Sequence, residues 1–141
     1  MREHTTVIES SNVSIAAVLP TDSAQIKPIL DVYGPYPFPI LGDPERIAYK
    51  QLKLKQMSKG KSLRAISSYF FSGRIRTIFP KDTEQRKVIQ KAMRSQNVFQ
   101  LGGTWLIDKT GEILWFHIDA EPADHAKIQT ILKVLETISQ E

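Results

Sequence analysis

The sequence predicts a mixed α/β domain, and three observations carry that prediction. Residues 12–19 form a short apolar run, rich in β-branched side chains and ended by Pro20, which is typical of a buried strand covered on both faces. The sequence Asp108–Gly111 separates two further apolar runs and predicts a tight turn between antiparallel strands, 103–107 and 112–117. The C-terminal segment repeats apolar residues at helical spacing and predicts a covering helix.

Between these elements, capping residues mark where helices begin. Thr21, Asp22 or Ser23 caps a predicted helix that runs to about Tyr33, with Pro28 in its early part and Gly34 closing it. A very short strand follows at 40–41. Asp43 is the predicted cap of a helix that begins at Pro44 and has Ile47, Ala48 and Leu52 on its inner face. Asp82 or Thr83 is the predicted cap of a helix over 84–94, and Asp124 that of the final helix.

Length and composition favour a single globular domain spanning 1–141. The 141 residues suit one modest core, and the balance of 41% hydrophobic and 24% charged residues is ordinary. No apolar stretch approaches the roughly 20 residues of a membrane span, and the start shows no secretory pattern. The sequence therefore predicts the cytoplasm as the default compartment.

The chain has no cysteine, which excludes a thiolate nucleophile, a redox cysteine pair and thiolate metal ligands from its own residues. Its histidines, His4, His117 and His125, share no metal-ligand spacing. We therefore expect no metal and no cofactor, and no residue is assigned as catalytic. Asp124 and His125 are adjacent and do not face each other well on a helix, so Asp124 is better explained as a cap than as half of an acid–base pair.

Basic residues are concentrated in one part of the chain. Residues 50–94 contain thirteen Lys and Arg against two acids, a net charge of +11, which leaves −7 for the rest. Such polarity indicates an anionic partner or, alternatively, an ordinary solvated helix surface. The segment at about 55–94 is predicted to be a basic helical insertion. It contains aromatic and arginine side chains that can stack on bases or contact anionic lipid: Arg64, Tyr69, Phe70, Arg74 and Arg76.

Three segments resemble the AhpC/TSA (peroxiredoxin-like) family. Residues 38–54, FPILGDPERIAYKQLKL, are similar to the family's "fPvl-sDp-r-lYkalGl" segment. Residues 100–113, QLGGTWLIDKTGEI, are similar to its "Gg-TFlIDk-GkI" hairpin, and 13–19 with the following capped helix resemble the strand after the family's cysteine-bearing helix. Together they cover most of 12–138 in the family's order.

The resemblance implies a thioredoxin-like mixed sheet flanked by helices, and a thiol antioxidant or oxidoreductase domain. Gly102, Gly103 and Thr104 match the loop that faces the active cysteine in such folds; the alternative is a glycine bend before a buried strand. The chain begins near the end of the family's first helix, so we expect the fold to be N-terminally incomplete and to lack the cysteine-bearing unit. Without cysteine, the chain is expected to lack thiol peroxidase activity.

An incomplete sheet leaves one lane empty between the strand at 13–19 and the strand at 103–107. Unpaired backbone groups along that lane are costly when buried and adhesive when exposed. Three outcomes are open: the two strands close together, a segment of this or another copy fills the lane and makes a homodimer, or the chain belongs to a longer protein. A binding module or a dimerising scaffold therefore stands as the alternative to a redox domain.

Overall fold

The computed structural model describes residues 1–58, 60, 82–95, 99–122 and 124–139. Within them it has a mixed α/β architecture, consistent with a thioredoxin-like fold, that places two small sheets among helices. After a 3₁₀ turn at Arg2–His4, the elements in chain order are α1 (Thr5–Glu9), β1 (Ala17–Leu19), α2 (Ser23–Tyr33), β2 (Ile40–Gly42), α3 (Ile47–Gln51), α4 (Thr83–Ser95), β3 (Gly103–Ile107), β4 (Ile113–Ile118) and α5 (Ile128–Ile138).

The N-terminal turn is held to the end of α2 by one arginine. The Arg2 guanidinium donates from Nη1 to the Tyr33 oxygen at 2.7 Å and from Nη2 to the Pro35 oxygen at 2.8 Å. The same group lies 4.8 Å from the centroid of the Tyr36 ring. Arg2 thereby satisfies carbonyl groups at and just beyond the C-terminal end of α2, where intrahelical partners run out.

β1 and β2 pair in parallel, with Ala17 opposite Ile40 and Leu19 opposite Gly42. The intervening helix α2 begins as predicted, because an Asp22 side-chain oxygen accepts the Gln25 amide at 2.9 Å. The predicted strand over 12–19 was too long, and the prediction that both its faces are covered was wrong. Val18 is 39% exposed, so the face of β1 on which it lies is not fully covered.

Asp43 is buried and anchors α3, but the helix does not begin at Pro44 as predicted. Its carboxylate accepts the amides of Ile47 at 2.8 Å and Ala48 at 2.9 Å. Arg46 has a left-handed backbone (φ 56°) that no α-helical residue adopts, so the helix starts at the next residue, Ile47. The register that results leaves Ile47 52% exposed, which overturns its predicted inner position.

β3 and β4 form the predicted hairpin, with Thr104 opposite His117 and Leu106 opposite Trp115. Their turn is built by Asp108, whose Oδ1 accepts the Thr110 amide at 2.8 Å, the Thr110 hydroxyl at 2.7 Å and the Glu112 amide at 2.8 Å. Gly111 has a φ of 91°, the conformation that favours glycine at this turn position. The hairpin is therefore closed locally, by residues adjacent in sequence.

Two further helices lie in the second half of the chain. α4 begins where Asp82 accepts the Gln85 amide at 2.9 Å, as predicted, and packs against α2. α5 contributes the buried Leu135, and the other buried apolar side chains described are Ile8, Ile26 and Leu101. Among the described helices, none combines the length and the apolar character that crossing a membrane requires.

The two sheets stay separate in the described part of the chain: β1 pairs only with β2, and β3 only with β4. The outcome in which the strands at 13–19 and 103–107 close together is therefore wrong. Instead, the segment entering β3 pairs with 55–57. Gln56 and Gln100 form an antiparallel bridge, and the Leu101 amide donates to the Lys55 oxygen at 3.0 Å. This pairing fixes the backbone immediately before Gly102.

Candidate functional site

The glycine pair at the start of β3 sits beside the end of β4. The Asp119 amide, the first after β4, donates to the Gly102 oxygen at 3.1 Å and extends the ladder that pairs Gly103 with Ile118. Because residues facing each other across an antiparallel pair share a face, Thr104, His117 and Asp119 lie on the same side of the hairpin. This end of the hairpin therefore places a cluster of polar side chains, those of Thr104, His117 and Asp119, beside Gly102 and Gly103, which have no side chain.

Asp119 is the centre of the cluster and is only 2% exposed. Its Oδ2 lies 2.8 Å from Nδ1 of His125, and its Oδ1 lies 3.7 Å from Nε2 of His117. A carboxylate oxygen accepts, so Nδ1 of His125 is the donor in that hydrogen bond. A buried carboxylate is costly unless it is hydrogen-bonded, and the His125 ring meets that need at Oδ2.

The second histidine is tied to the loop that follows β4. His117 Nε2 lies 2.8 Å from the Asp124 main-chain oxygen and 3.7 Å from its Oδ1. Asp124 Oδ2 in turn accepts the Ala120 amide at 2.9 Å, and the Asp124 amide donates to the Glu121 oxygen at 3.0 Å. These contacts hold Asp124 against Ala120 and Glu121, and His125 lies back against Asp119.

This arrangement overturns the prediction that Asp124 caps the final helix. α5 begins at Ile128, its N-cap position is Lys127, and no side chain there accepts a capping hydrogen bond. The Asp124 carboxylate is already used by the Ala120 amide four residues earlier. A single Asp side chain near a helix start satisfies whichever amide the backbone presents, and here that amide belongs to the turn.

The two histidine side chains differ in their exposure to solvent and in which ring nitrogen has a partner. The His117 side chain is 29% exposed and its Nε2 faces Asp124. The His125 side chain is 74% exposed, and its one hydrogen-bond partner in the described part of the chain is Asp119, on Nδ1. His125 therefore presents Nε2 to solvent from a ring whose other nitrogen is held. Such an arrangement can accept and return a proton.

Comparison with known protein families identifies the chain. The family model described as AhpC/TSA antioxidant enzyme matches residues 2–121. The chain belongs to the AhpC/TSA family. No curated protein and no solved structure matches it. The match includes the Gly102–Thr104 loop, His117 and Asp119, and it ends before Asp124 and His125.

The structure of this AhpC/TSA chain describes one set of the predicted site residues and does not describe the other. It places Gly102, Gly103 and Thr104 together at the hairpin end, next to the Asp119 cluster. Their role as a substrate-facing loop stays a prediction. The predicted anionic-partner residues Arg64, Tyr69, Phe70, Arg74 and Arg76 lie outside the described residues. Across 1–58, 82–95 and 99–139 apart from 123, no three His, Asp or Glu side chains are grouped to hold a metal ion.

The Asp119–His125 pair was missed because the two residues are six apart and meet only through a turn. Asp124 and His125 are adjacent in the sequence, but the structure gives each of them a different partner. A usable signal was present in the sequence: two Asp and two His flank Pro122 within 117–125, directly after an apolar strand. A strand end followed by a proline turn is where distant polar side chains are brought together.

Proposed function

We propose that this chain acts in a thiol antioxidant or oxidoreductase system as a domain that supplies no reacting thiol of its own. Family membership supports the antioxidant context, and the absence of cysteine carries the second half of the proposal. Peroxide reduction and disulfide exchange in this chemistry proceed through a cysteine thiolate. The chain therefore has no thiol peroxidase activity by itself.

In this proposal the Gly102–Thr104 loop contributes a binding surface rather than a reacting group. In the β3–β4 ladder, Gly102 and Thr104 direct their backbone groups toward β4, so Gly103 directs its own toward the opposite edge. β3 has no second neighbouring strand within the described residues. An extended thiol substrate or peptide pairing along that edge fits this backbone arrangement.

The test is a peroxide-consumption assay with dithiothreitol as the reductant. The expected result is that adding the chain leaves the rate at its protein-free value. A cysteine-dependent peroxidase run in parallel shows that the assay detects turnover. Consumption that rises in proportion to the concentration of the cysteine-free chain contradicts the proposal.

A second candidate function is binding of an anionic partner through the basic segment 50–94, which includes the basic helical insertion proposed at about 55–94 of a single domain. Its support in the described residues is the exposure of Lys50, Lys53, Lys55 and Arg86. Binding of nucleic acid or acidic vesicles, measured by fluorescence anisotropy or co-sedimentation, is expected to fall steeply with salt. Lys50→Gln, Lys53→Gln and Lys55→Gln together weaken it; the exposed Lys133→Gln on α5 is the matched control. No binding at low salt removes this candidate.

The third candidate is a scaffold that forms a homodimer by pairing its open strand edges, with the cytoplasm as its default compartment. The separation of β1 from β3 supports it, because each sheet keeps an edge without a partner strand in the described part. Light scattering over a range of protein concentrations tests this idea. A mass that stays at 16.0 kDa throughout contradicts it.

A further inference from the structure

We propose that Asp119 and His125 form a proton-transfer dyad that hydrolyses small activated esters, with Nε2 of His125 as the atom that accepts and returns the proton. This activity needs no thiol and stands independently of the proposed antioxidant role. Its basis is the 2.8 Å contact between Asp119 Oδ2 and His125 Nδ1, in which one partner is buried and the other is exposed.

The buried partner is rigidly placed. Asp119 directly follows β4, its amide is bonded to the Gly102 oxygen, and its side chain is 3% exposed. A carboxylate fixed in this way holds an imidazole in one orientation and keeps the hydrogen on Nδ1, which directs the Nε2 lone pair outward. Asp119 is therefore a positioning residue, and His125 is the group that meets the substrate.

Gly102 leaves room for this arrangement. A Cβ added at Gly102 would lie 3.2 Å from Asp119 Oδ2, the same oxygen that holds His125. That distance is tighter than most Cβ contacts, so a larger residue at Gly102 requires the carboxylate or the strand to shift slightly. The glycine that the sequence associates with a substrate loop thus has a direct structural connection to the dyad.

The groups beside the dyad limit the chemistry open to it. The chain has no cysteine, and His125 has no Ser or Thr hydroxyl bonded to its ring within the described residues. Water is then the available nucleophile. Because the His125 side chain is 74% exposed, the site suits a small substrate that reaches it directly from solvent. An activated ester meets these conditions, since its carbonyl carbon is attacked by water with base assistance alone.

The step balances without a further reactant. His125 Nε2 removes a proton from water as the water oxygen forms a bond to the carbonyl carbon. The tetrahedral intermediate then collapses, the bond from carbon to the leaving oxygen breaks, and that oxygen takes the electron pair. Nε2 returns its proton to the departing group or to solvent, which leaves the acid and the alcohol as products and the dyad unchanged.

The experiment follows release of p-nitrophenolate from p-nitrophenyl acetate by the full chain. Positioned general bases contribute roughly 10²–10⁴-fold, and an open site belongs at the lower end. We expect the chain to exceed free imidazole at equal concentration by about tenfold or more. His125→Gln is expected to lose that excess, and the neighbouring exposed Lys127→Gln is expected to keep it. A wild-type rate equal to that of free imidazole, or an unchanged rate in His125→Gln, overturns the proposal.

The positioning role of Asp119 has its own readout. In ¹⁵N NMR spectra of the neutral imidazole, His125 is expected to carry its hydrogen on Nδ1 in the wild type and on Nε2 in Asp119→Asn, with a matching fall in the esterase rate. Free imidazole added to His125→Gln, in samples whose circular dichroism spectrum matches that of the wild type, is expected to restore no more than the free-imidazole rate. A wild-type His125 ring protonated on Nε2 contradicts the dyad, whether or not the Asp119 variant folds.

Discussion

The Tyr49 hydroxyl donates a 2.8 Å hydrogen bond to the Val18 main-chain oxygen and thereby joins α3 to β1. Ala17 and Leu19 direct their backbone groups toward the β2 side, through Ala17 N to Pro39 O and Asp43 N to Leu19 O. Val18, between them, faces the opposite edge, where no strand pairs in the described part of the chain. Tyr49 therefore satisfies one acceptor that a neighbouring strand would otherwise take.

Tyr49→Phe is expected to lower the free energy of unfolding by about 0.5–1.5 kcal/mol, the typical net contribution of one hydrogen bond. Urea unfolding followed by circular dichroism measures the change. Tyr33→Phe is the matched control, because the Tyr33 hydroxyl forms no hydrogen bond within the described residues. Equal losses in the two variants would show that the Val18 contact contributes nothing.

The same tyrosine makes stability sensitive to alkaline pH. Burial, with a smaller contribution from the Asp43 carboxylate, raises the pKa of Tyr49 above its ordinary value of 10.0. The folded state thus holds this proton more tightly than the unfolded state, and stability from this source is complete below pH 10.0 and is lost as pH rises beyond it. Unfolding midpoints measured across this range should fall more steeply in the wild type than in Tyr49→Phe. Parallel curves contradict this assignment.

The predictable parts of the fold are those that adjacent residues build. Asp22 and Asp82 each accept an amide three residues on, and Asp108 closes its own turn, so local sequence is sufficient for all three. The start of α3 depends on the left-handed backbone at Arg46, and the role of Asp124 depends on the turn in which its carboxylate accepts the Ala120 amide; no spacing rule encodes either. The Asp119–His125 contact depends on that turn as well, and so it emerged only with the tertiary structure.

Asp43→Ala is expected to destabilise the chain more than Asp22→Ala. Asp43 is buried and its carboxylate accepts the Ile47 and Ala48 amides, whereas Asp22 is exposed and accepts the Gln25 amide. Capping substitutions cost about 0.5–2 kcal/mol, and we place Asp43 at the upper end and Asp22 at the lower end. Urea unfolding of both variants gives the comparison. An Asp22 variant that loses as much as the Asp43 variant would contradict the ranking.

Asp108 in the hairpin turn is expected to make the stability of the chain depend on pH in the acid range. The hydrogen bond from the Thr110 hydroxyl, followed by that from the Glu112 amide, lowers the pKa of Asp108 below its ordinary value of 3.8. Stability from this source is present above pH 3.8 and is lost as pH falls through the lowered pKa. NMR titration of the Asp108 carboxyl is expected to show the lowered pKa, and Thr110→Val is expected to raise it. Thr130→Val on α5 should leave it unchanged.

Gly103→Ala and Gly102→Ala are expected to have different consequences. A Cβ at Gly103 would lie 2.7 Å from the His117 oxygen and 2.8 Å from Cζ3 of Trp105, so the ladder or the indole must move. Overpacking of this kind costs about 1–3 kcal/mol, measured as loss of unfolding free energy. Gly102→Ala instead presses on Asp119 Oδ2 and should shift the His125 NMR signals more than Gly103→Ala does. Identical spectral changes would contradict the link between Gly102 and the dyad.

The most direct test of the central claim is the rate at which hydrogen peroxide disappears when the chain and dithiothreitol are present together. The chain belongs to an antioxidant family and has no thiol with which to react. The expected rate is therefore the protein-free rate at every concentration of the chain. A saturable rate that scales with the concentration of the cysteine-free chain would contradict it.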